Sequence, residues 1–172
     1  SGIAEDLYKM MHVWFGRLPG GLAVGTILVM VIISAMNGLS VAGMAIGATI
    51  ALPEMLRRGY DKVLISGVVQ GGSSLGILIP PSVVLVIYAI LAEQNVAAMF
   101  MAALIPGLIA MFGYMLVVAI YARVVPDAGP ASARMSWPQR MAAVGRVWPI
   151  VTVFVVVIGG IYGGIFTPTE AA

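Results

Sequence analysis

Long apolar segments without charge alternate with short charged segments along the chain. Residues 18–53, 63–92, 94–122 and 147–169 contain no Asp, Glu, Lys or Arg. Each segment exceeds the roughly 20 residues that a helix needs to cross a bilayer, where a buried charge costs at least about 2.5 kcal/mol. The pattern predicts an all-α polytopic membrane protein whose spanning helices lie in these segments.

The basic residues predict how the segments are oriented. Lys and Arg occur at both ends of residues 18–53 and again within 123–146, whereas the turn at 92–96 has none. By the positive-inside rule the basic segments are cytoplasmic and the turn is outside. Residues 18–53 must then form a helical hairpin, which we expect to reverse near 34–40. Two legs of about 18 residues are slightly short for the hydrocarbon core, which favours a re-entrant hairpin.

The predicted reversal is polar for its depth. It contains Ser34, Asn37, Gly38 and Ser40. Non-helical backbone at that depth must face protein or a water-filled cavity. Two interpretations stay open. In the first, these residues cap the two helices of the hairpin and hydrogen-bond to neighbouring helices; in the second, they line a binding site.

Residues 63–92 are predicted to form a broken membrane helix. Their middle reads QGGSSLGILIPPS, and in a helix interior Gly costs about 1 kcal/mol and Pro about 3 kcal/mol. Pro81 also restricts Pro80 to extended backbone. We therefore predict a break between Gly71 and Ser82.

A broken helix exposes carbonyl oxygens at one end and amide hydrogens at the other, which suits an ion or a carboxylate. The alternative is a proline kink with glycines for close packing. Two polar interruptions in consecutive membrane segments favour a transport site made of discontinuous helices.

The remaining segments carry less chemistry. We predict an interfacial amphipathic helix over 1–17, a cytoplasmic turn over 54–62, a membrane helix over 96–123, a cytoplasmic linker over 124–146, a membrane helix over 147–166 and the start of a further element over 167–172. The first residues lack Met and a basic start, so we expect an internal piece of a longer protein rather than a signal peptide.

Composition excludes several function classes. The chain has 172 residues, 61% hydrophobic and 9% charged, against about 25% charged in soluble domains. Its net charge of +2 provides no basic stripe for nucleic acid. The chain contains no cysteine and a single histidine, His12, which excludes Cys/His zinc sites. We expect His12 to be a solvated residue without a role.

One catalytic pattern occurs in the chain. Residues 72–76 satisfy G-x-S-x-G with Ser74 in the nucleophile position. His12 precedes the first apolar segment, and no Lys or Asp lies within a membrane segment, so Ser74 lacks a base. We therefore expect that this chain is not an enzyme. A second function class, a non-transporting membrane assembly or anchor subunit, stays open because Gly, Pro and Ser breaks can serve helix packing alone.

Several linked motifs resemble those of one family. In order, they are GGLAVGTILV, NGLSVAGMAIGATIALPEMLRRGYDK, GGSSLGILIPPS and GGIFTPTEAA. Together they make nearly the whole chain similar to the large permease (M) subunit of TRAP transporters.

The resemblance implies a sodium-coupled symporter in the inner membrane of a bacterium or archaeon. It implies an elevator-type carrier of two inverted repeats, to which this chain would contribute the first-repeat hairpin and broken helix. The implied partners are a small membrane (Q) subunit, a periplasmic substrate-binding (P) protein, the lipid bilayer and a small carboxylate, either a C4-dicarboxylate, sialic acid or a keto acid. Na⁺ is the implied coupling ion, with no other cofactor.

The resemblance also supplies candidate site residues. The family's serine-rich hairpin tip falls on residues 37–40, where Asn37 and Leu39 stand in place of serines. Leu39 can offer only its backbone carbonyl to sodium, which takes oxygen ligands. The candidates for the ion or substrate site are Ser34, Asn37, Gly38, Leu39, Ser40, Gly71, Gly72, Ser73, Ser74, Gly76, Pro80, Pro81 and Ser82. Four further residues match the family's cytoplasmic turn after the hairpin, and we expect them to stabilise this loop: Arg57, Arg58, Tyr60 and Asp61.

Overall fold

The computed structural model describes residues 2–131 and 136–165, and every regular element in these ranges is helical. The elements are α1 (Gly2–Phe15), α2 (Gly21–Asn37), α3 (Ser40–Ile46), a π-helical turn (Gly47–Ala51), α4 (Leu52–Arg57), α5 (Lys62–Leu78), α6 (Val83–Leu91), α7 (Val96–Val124), a 3₁₀ turn (Pro126–Ala128) and α8 (Trp137–Tyr162). The expected all-α class is confirmed.

The chain reverses between α2 and α3 over two residues. Gly38 has left-handed backbone with φ 66°, and Leu39 is extended with φ −133°. From Ser40 the chain stays helical through α3, the π-helical turn and α4, which together form the return leg of the hairpin. The π-helical turn ends two residues before Pro53, whose missing N–H interrupts the α-helical hydrogen bonds.

Helix α5 packs against both legs of the hairpin through glycines. A Cβ on Gly72 would lie 3.2 Å from the Met30 sulfur of α2. On the return leg, a Cβ on Gly47 would lie 2.8 Å from both Met30 and Val69. Small residues allow helix backbones to approach closely in membranes, so the hairpin and α5 form one tightly packed unit.

The other helices surround this unit. Leu7 and Met11 of α1 are buried against Val29 and Ile33 of α2. Helix α7 packs on α5 and α2, and α8 contacts α1. Helix α7 is long and apolar enough to cross a membrane alone, and α5 with α6 pass the same test as one span bent by 42°.

Helix α8 begins earlier than the sequence pattern predicted. It starts at Trp137, inside the segment 124–146 that was expected to be a linker. The cause is a capping box, because the Ser136 N–H donates to Gln139 Oε1 at 3.0 Å and Pro138 occupies the first turn. The element predicted over 167–172 lies outside the described residues.

Candidate functional site

The hairpin tip contacts the helix break directly. Gly38 is buried, and its carbonyl oxygen accepts a hydrogen bond from the Val83 N–H at 3.2 Å. A Cβ on Gly38 would lie 2.9 Å from that same nitrogen. Only glycine fits here without strain, because the position combines positive φ with this close approach. The two polar interruptions therefore meet at one place.

The break itself spans residues 79–82. Ile79 is extended, the Pro80–Pro81 peptide bond is cis, and Ser82 caps α6 by accepting from the Leu85 N–H at 3.4 Å. Proline has no N–H, so the carbonyls of Gly76 and Ile77 lose the donors that would lie four residues further on in a continuous helix. The end of α5 thus carries backbone oxygens that its own helix cannot satisfy.

Ser34 lies in α2 close to both the return leg of the hairpin and α5. It is fully buried, and its hydroxyl has no hydrogen-bond partner within the described part of the chain. A Cβ added at Gly43 or at Gly76 would overlap Ser34 atoms. An unsatisfied buried hydroxyl costs about 1–3 kcal/mol. Ser34 therefore offers an unused oxygen between the hairpin and the end of α5.

The break is narrower than the predicted interval. Gly71, Gly72, Ser73, Ser74 and Gly76 all lie within α5, which continues to Leu78. Their low helix propensity is outweighed by packing, since the glycines admit α2 and α7 at close range.

The two serines of α5 bond to their own helix. Ser73 is buried and its hydroxyl donates to the Gln70 carbonyl at 3.0 Å. Ser74 is exposed and donates to the Gly71 carbonyl at 2.8 Å. The G-x-S-x-G pattern is therefore an ordinary helical turn and not a nucleophile elbow.

The candidates divide into two groups. The buried meeting point of tip, break and α5 contains Ser34, Gly38, Gly76, Pro80 and Ser82, with Pro81 half-buried beside them. Asn37 and Leu39 are exposed on the tip, and Ser40 is half-buried.

Asn37 and Gly71 have neighbours outside this meeting point. The Asn37 amide nitrogen donates to the Ile33 carbonyl at 2.8 Å, leaving the amide oxygen as its acceptor end. Gly71 lies against Tyr114 of α7, away from Ser34.

Three residues at this meeting point did not stand out in the sequence. Gly43 could have been found from the four-residue spacing of Gly43 with Gly47, which is typical of close helix packing. Gly107 of α7 lies against the break, because a Cβ there would be 3.3 Å from the Leu78 carbonyl oxygen. Val83 contributes only its backbone N–H, for which a sequence carries no signal.

The opposite end of the hairpin carries an ion-pair network. Glu54 pairs with Arg57 and with Arg58, each at 2.7 Å. His12 is half-buried, and its Nε2 atom lies 2.9 Å from Arg58 Nη1. The sequence predicted a solvated residue without a role, and this prediction is wrong. A guanidinium group can only donate, so His12 accepts at Nε2 and is neutral.

Burial and the contacts with Arg58 shift the pKa values of His12 and Glu54. Burial lowers the pKa of His12, and the charge of Arg58 lowers it further, against a smaller opposing effect from Glu54. Burial acts to raise the pKa of Glu54, but hydrogen bonds from Arg58 and Arg57 hold it below its usual value.

Asp61 and Tyr60 stabilise the turn between α4 and α5. The Asp61 carboxylate caps α5 by accepting from the N–H groups of Val63 and Leu64 at 2.9 Å and 3.2 Å. Its own N–H donates to the Ala128 carbonyl at 3.0 Å. Tyr60 is buried, which raises the pKa of its hydroxyl.

Any cation at the tip and break would be bound by neutral oxygens. Among the described residues, no group of three or more His, Asp or Glu side chains could hold a metal ion. Hydroxyl, amide and carbonyl oxygens are the groups present, and these suit a hard cation.

A family model described as "Tripartite ATP-independent periplasmic transporter, DctM component" matches residues 1–172. The chain belongs to this family. Membership of the DctM family makes it part of a membrane permease, and it confirms the expected relationship to TRAP large permeases.

The relatives of the chain carry several names. It is 38% identical over 172 residues to the C4-dicarboxylate TRAP transporter large permease protein DctM of Pseudomonas aeruginosa, covering 100% of this chain and 40% of the relative. It is 35% identical over 170 residues to the ectoine TRAP transporter large permease protein TeaC of Halomonas elongata, covering 98% and 39%. It is 33% identical over 172 residues to the isethionate TRAP transporter permease protein DctMQ of Oleidesulfovibrio alaskensis, covering 100% and 27%. The chain thus spans 40% or less of each of these relatives.

Proposed function

We propose that this chain forms one half of the transport site in a sodium-coupled TRAP permease that imports a small organic acid. One observation carries the proposal: the Gly38 carbonyl and the Val83 N–H join the hairpin tip to the helix break. Discontinuous helices that meet in this way are where secondary transporters bind substrates and coupling ions near the bilayer midplane.

A cation fits this junction better than an anion does. Two of the first three N–H groups of α6 are already bonded, Val83 to Gly38 and Leu85 to Ser82. The carbonyl groups of Gly76 and Ile77 lack helical donors because of the two prolines. The junction is therefore rich in acceptors, and with the unused Ser34 hydroxyl these oxygens are our proposed Na⁺ ligands.

We propose that the organic acid binds at the tip beside Asn37, which is exposed, and Ser40, which is half-buried. Relatives named for C4-dicarboxylates, ectoine and isethionate are 33–38% identical to this chain. Selection among a C4-dicarboxylate, sialic acid, a keto acid or another small organic acid would then depend mainly on a separate periplasmic binding protein. The other half of the site would come from a second hairpin and broken helix.

The proposed setting is the inner membrane of a bacterium or archaeon. There the permease would work with a small membrane subunit and the periplasmic binding protein, and it would not act as an enzyme. The glycine-packed unit of hairpin and α5 would move as one body, as an elevator mechanism requires.

Uptake into proteoliposomes tests the proposal. The full-length permease is reconstituted with its small subunit and given labelled organic acids, with and without the cognate binding protein. An inward Na⁺ gradient is compared with an equal K⁺ gradient. Uptake that requires both the binding protein and Na⁺ is expected. Uptake indifferent to Na⁺ would contradict the ion site, and no uptake of any acid by a correctly assembled complex would favour an anchor subunit.

A further inference from the structure

A cavity of about 510 Å³ lies at the base of the hairpin, between α1 and the return leg. Helix α1 contributes Tyr8, Lys9 and His12 to its wall, and the return leg contributes Glu54, Arg57 and Arg58. The cavity is at the opposite end of the hairpin from Gly38 and Ser34, so it is separate from the proposed transport site.

The charge of the cavity wall is positive. Among the side chains that the structure describes along this wall, three are cationic, Lys9, Arg57 and Arg58, and one is a carboxylate, Glu54. That carboxylate is matched by two guanidinium groups at 2.7 Å. The Arg57 guanidinium group is accessible to a ligand, because its side chain is 76% exposed while one of its nitrogens binds Glu54.

The guanidinium group of Arg58 is fixed in place before any ligand binds. Its Nε and Nη2 atoms bond to the same oxygen of Glu54, both at 2.7 Å. Its Nη1 atom lies 2.9 Å from His12 Nε2. A preorganised guanidinium group loses little side-chain entropy when it binds an anion.

Tyr8 lines part of the cavity. It is only 6% exposed, and its buried hydroxyl lies beside Thr26 of α2. Burial raises the pKa of this hydroxyl. The cationic side chains, rather than Tyr8, are therefore the groups that can reach an anion in the cavity.

We propose that this cavity binds the phosphate group of an anionic phospholipid. Phosphate oxygens accept hydrogen bonds from guanidinium and ammonium groups. Basic pockets between membrane helices at the cytoplasmic side take anionic headgroups, and the positive-inside rule places this end of the hairpin there.

A lipid suits the cavity better than a dissolved anion does. Ile50 and Pro53 provide an apolar part of the wall, and acyl chains can lie beside the interfacial helix α1. A bound headgroup would connect α1 to the base of the hairpin. The proposal does not depend on the transport function.

Lipid-dependent thermal stabilisation of the purified full-length permease, with its small subunit in detergent, tests the proposal. Phosphatidylglycerol, phosphatidylcholine and inorganic phosphate are titrated separately. Only phosphatidylglycerol is expected to stabilise the protein at low concentration. Equal stabilisation by phosphatidylcholine would overturn the anion site, and equal stabilisation by inorganic phosphate would overturn the lipid assignment.

Variants connect the effect to the cavity. Lys9→Gln combined with Arg57→Gln should weaken phosphatidylglycerol binding about 25-fold, since each basic residue near a membrane surface contributes about fivefold. Arg123→Gln, which removes an exposed charge outside this cavity, should leave binding unchanged. Wild-type affinity in the double variant, with an unchanged melting temperature without lipid, would refute the proposal.

Discussion

Gly76→Ala is expected to push α5 away from the hairpin. A Cβ at Gly76 would overlap the Ser34 side chain and would lie 3.1 Å from Ser34 Cα, so the obstacle is close to the backbone and cannot swing aside. Overpacking of this kind costs about 1–3 kcal/mol. Alanine also gains about 1 kcal/mol over glycine in a helix, and this gain has to be separated from the clash.

Gly67→Ala supplies the matched control. Gly67 lies in the same helix, but a Cβ there would meet nothing within 4 Å. Both variants gain helix propensity, so the difference between them isolates the clash. This chain spans 40% of its Pseudomonas aeruginosa relative, which therefore has about 430 residues. At about 2.1 cal/mol/K per residue, 1 kcal/mol shifts the melting temperature of such a permease by about 1 °C, so Gly76→Ala should melt about 1–3 °C below Gly67→Ala.

The assay is thermal unfolding of the purified permease in detergent. Ser34→Gly removes the atoms that the new methyl group would strike, so it should recover part of the loss in the Gly76→Ala background. Non-additivity of this sign is expected for side chains in contact. Equal melting temperatures for Gly76→Ala and Gly67→Ala would show that the hairpin and α5 are not packed as described.

Two further predictions concern the tip and the base of the hairpin. Gly38→Ala should abolish uptake, because its methyl group would strike Val83. Gly59→Ala should not, because Gly59 also has positive φ (79°) but a Cβ there would have no neighbour within 4 Å. Similar losses of uptake in both variants would show that backbone strain alone matters and not the Val83 contact. Burial and the charge of Arg58 lower the pKa of His12 in the folded state below its unfolded value of 6.5. Neutral His12 therefore contributes fully to the free energy of unfolding above pH 6.5, and this contribution is lost as the pH falls below 6.5. Melting temperatures between about pH 5 and pH 8 should show this loss in the wild type and less of it in His12→Gln.

The helical class followed directly from the charge-free segments, because a bilayer excludes unpaired charge wherever the chain crosses it. The chain turns at Gly38 and Leu39, within the segment that the polar residues and the basic flanks indicated. The start of α8 could also be predicted from the sequence, since Ser136 and Gln139 form a capping box, although the apolar run begins only at residue 147.

Other features depend on contacts between distant segments. The glycines from Gly71 to Gly76 stay helical because α2 and α7 pack closely against them, and their neighbours cannot be read from local propensity. Ser34 was a candidate for its polarity alone, and its burial without a partner emerges only when three segments meet. The His12 contact joins residues 46 positions apart in sequence.

The most direct test of the central claim is the Na⁺ dependence of uptake by Ser34→Ala. Ser66→Ala is the matched control, because Ser66 lies in α5 but is exposed and bonds only to the Lys62 carbonyl of its own helix, at 2.8 Å. If Ser34 contributes a ligand, Ser34→Ala should need a much higher Na⁺ concentration for half-maximal uptake, while Ser66→Ala matches the wild type. Identical Na⁺ dependence in all three proteins would contradict a cation site at the junction of hairpin tip and broken helix.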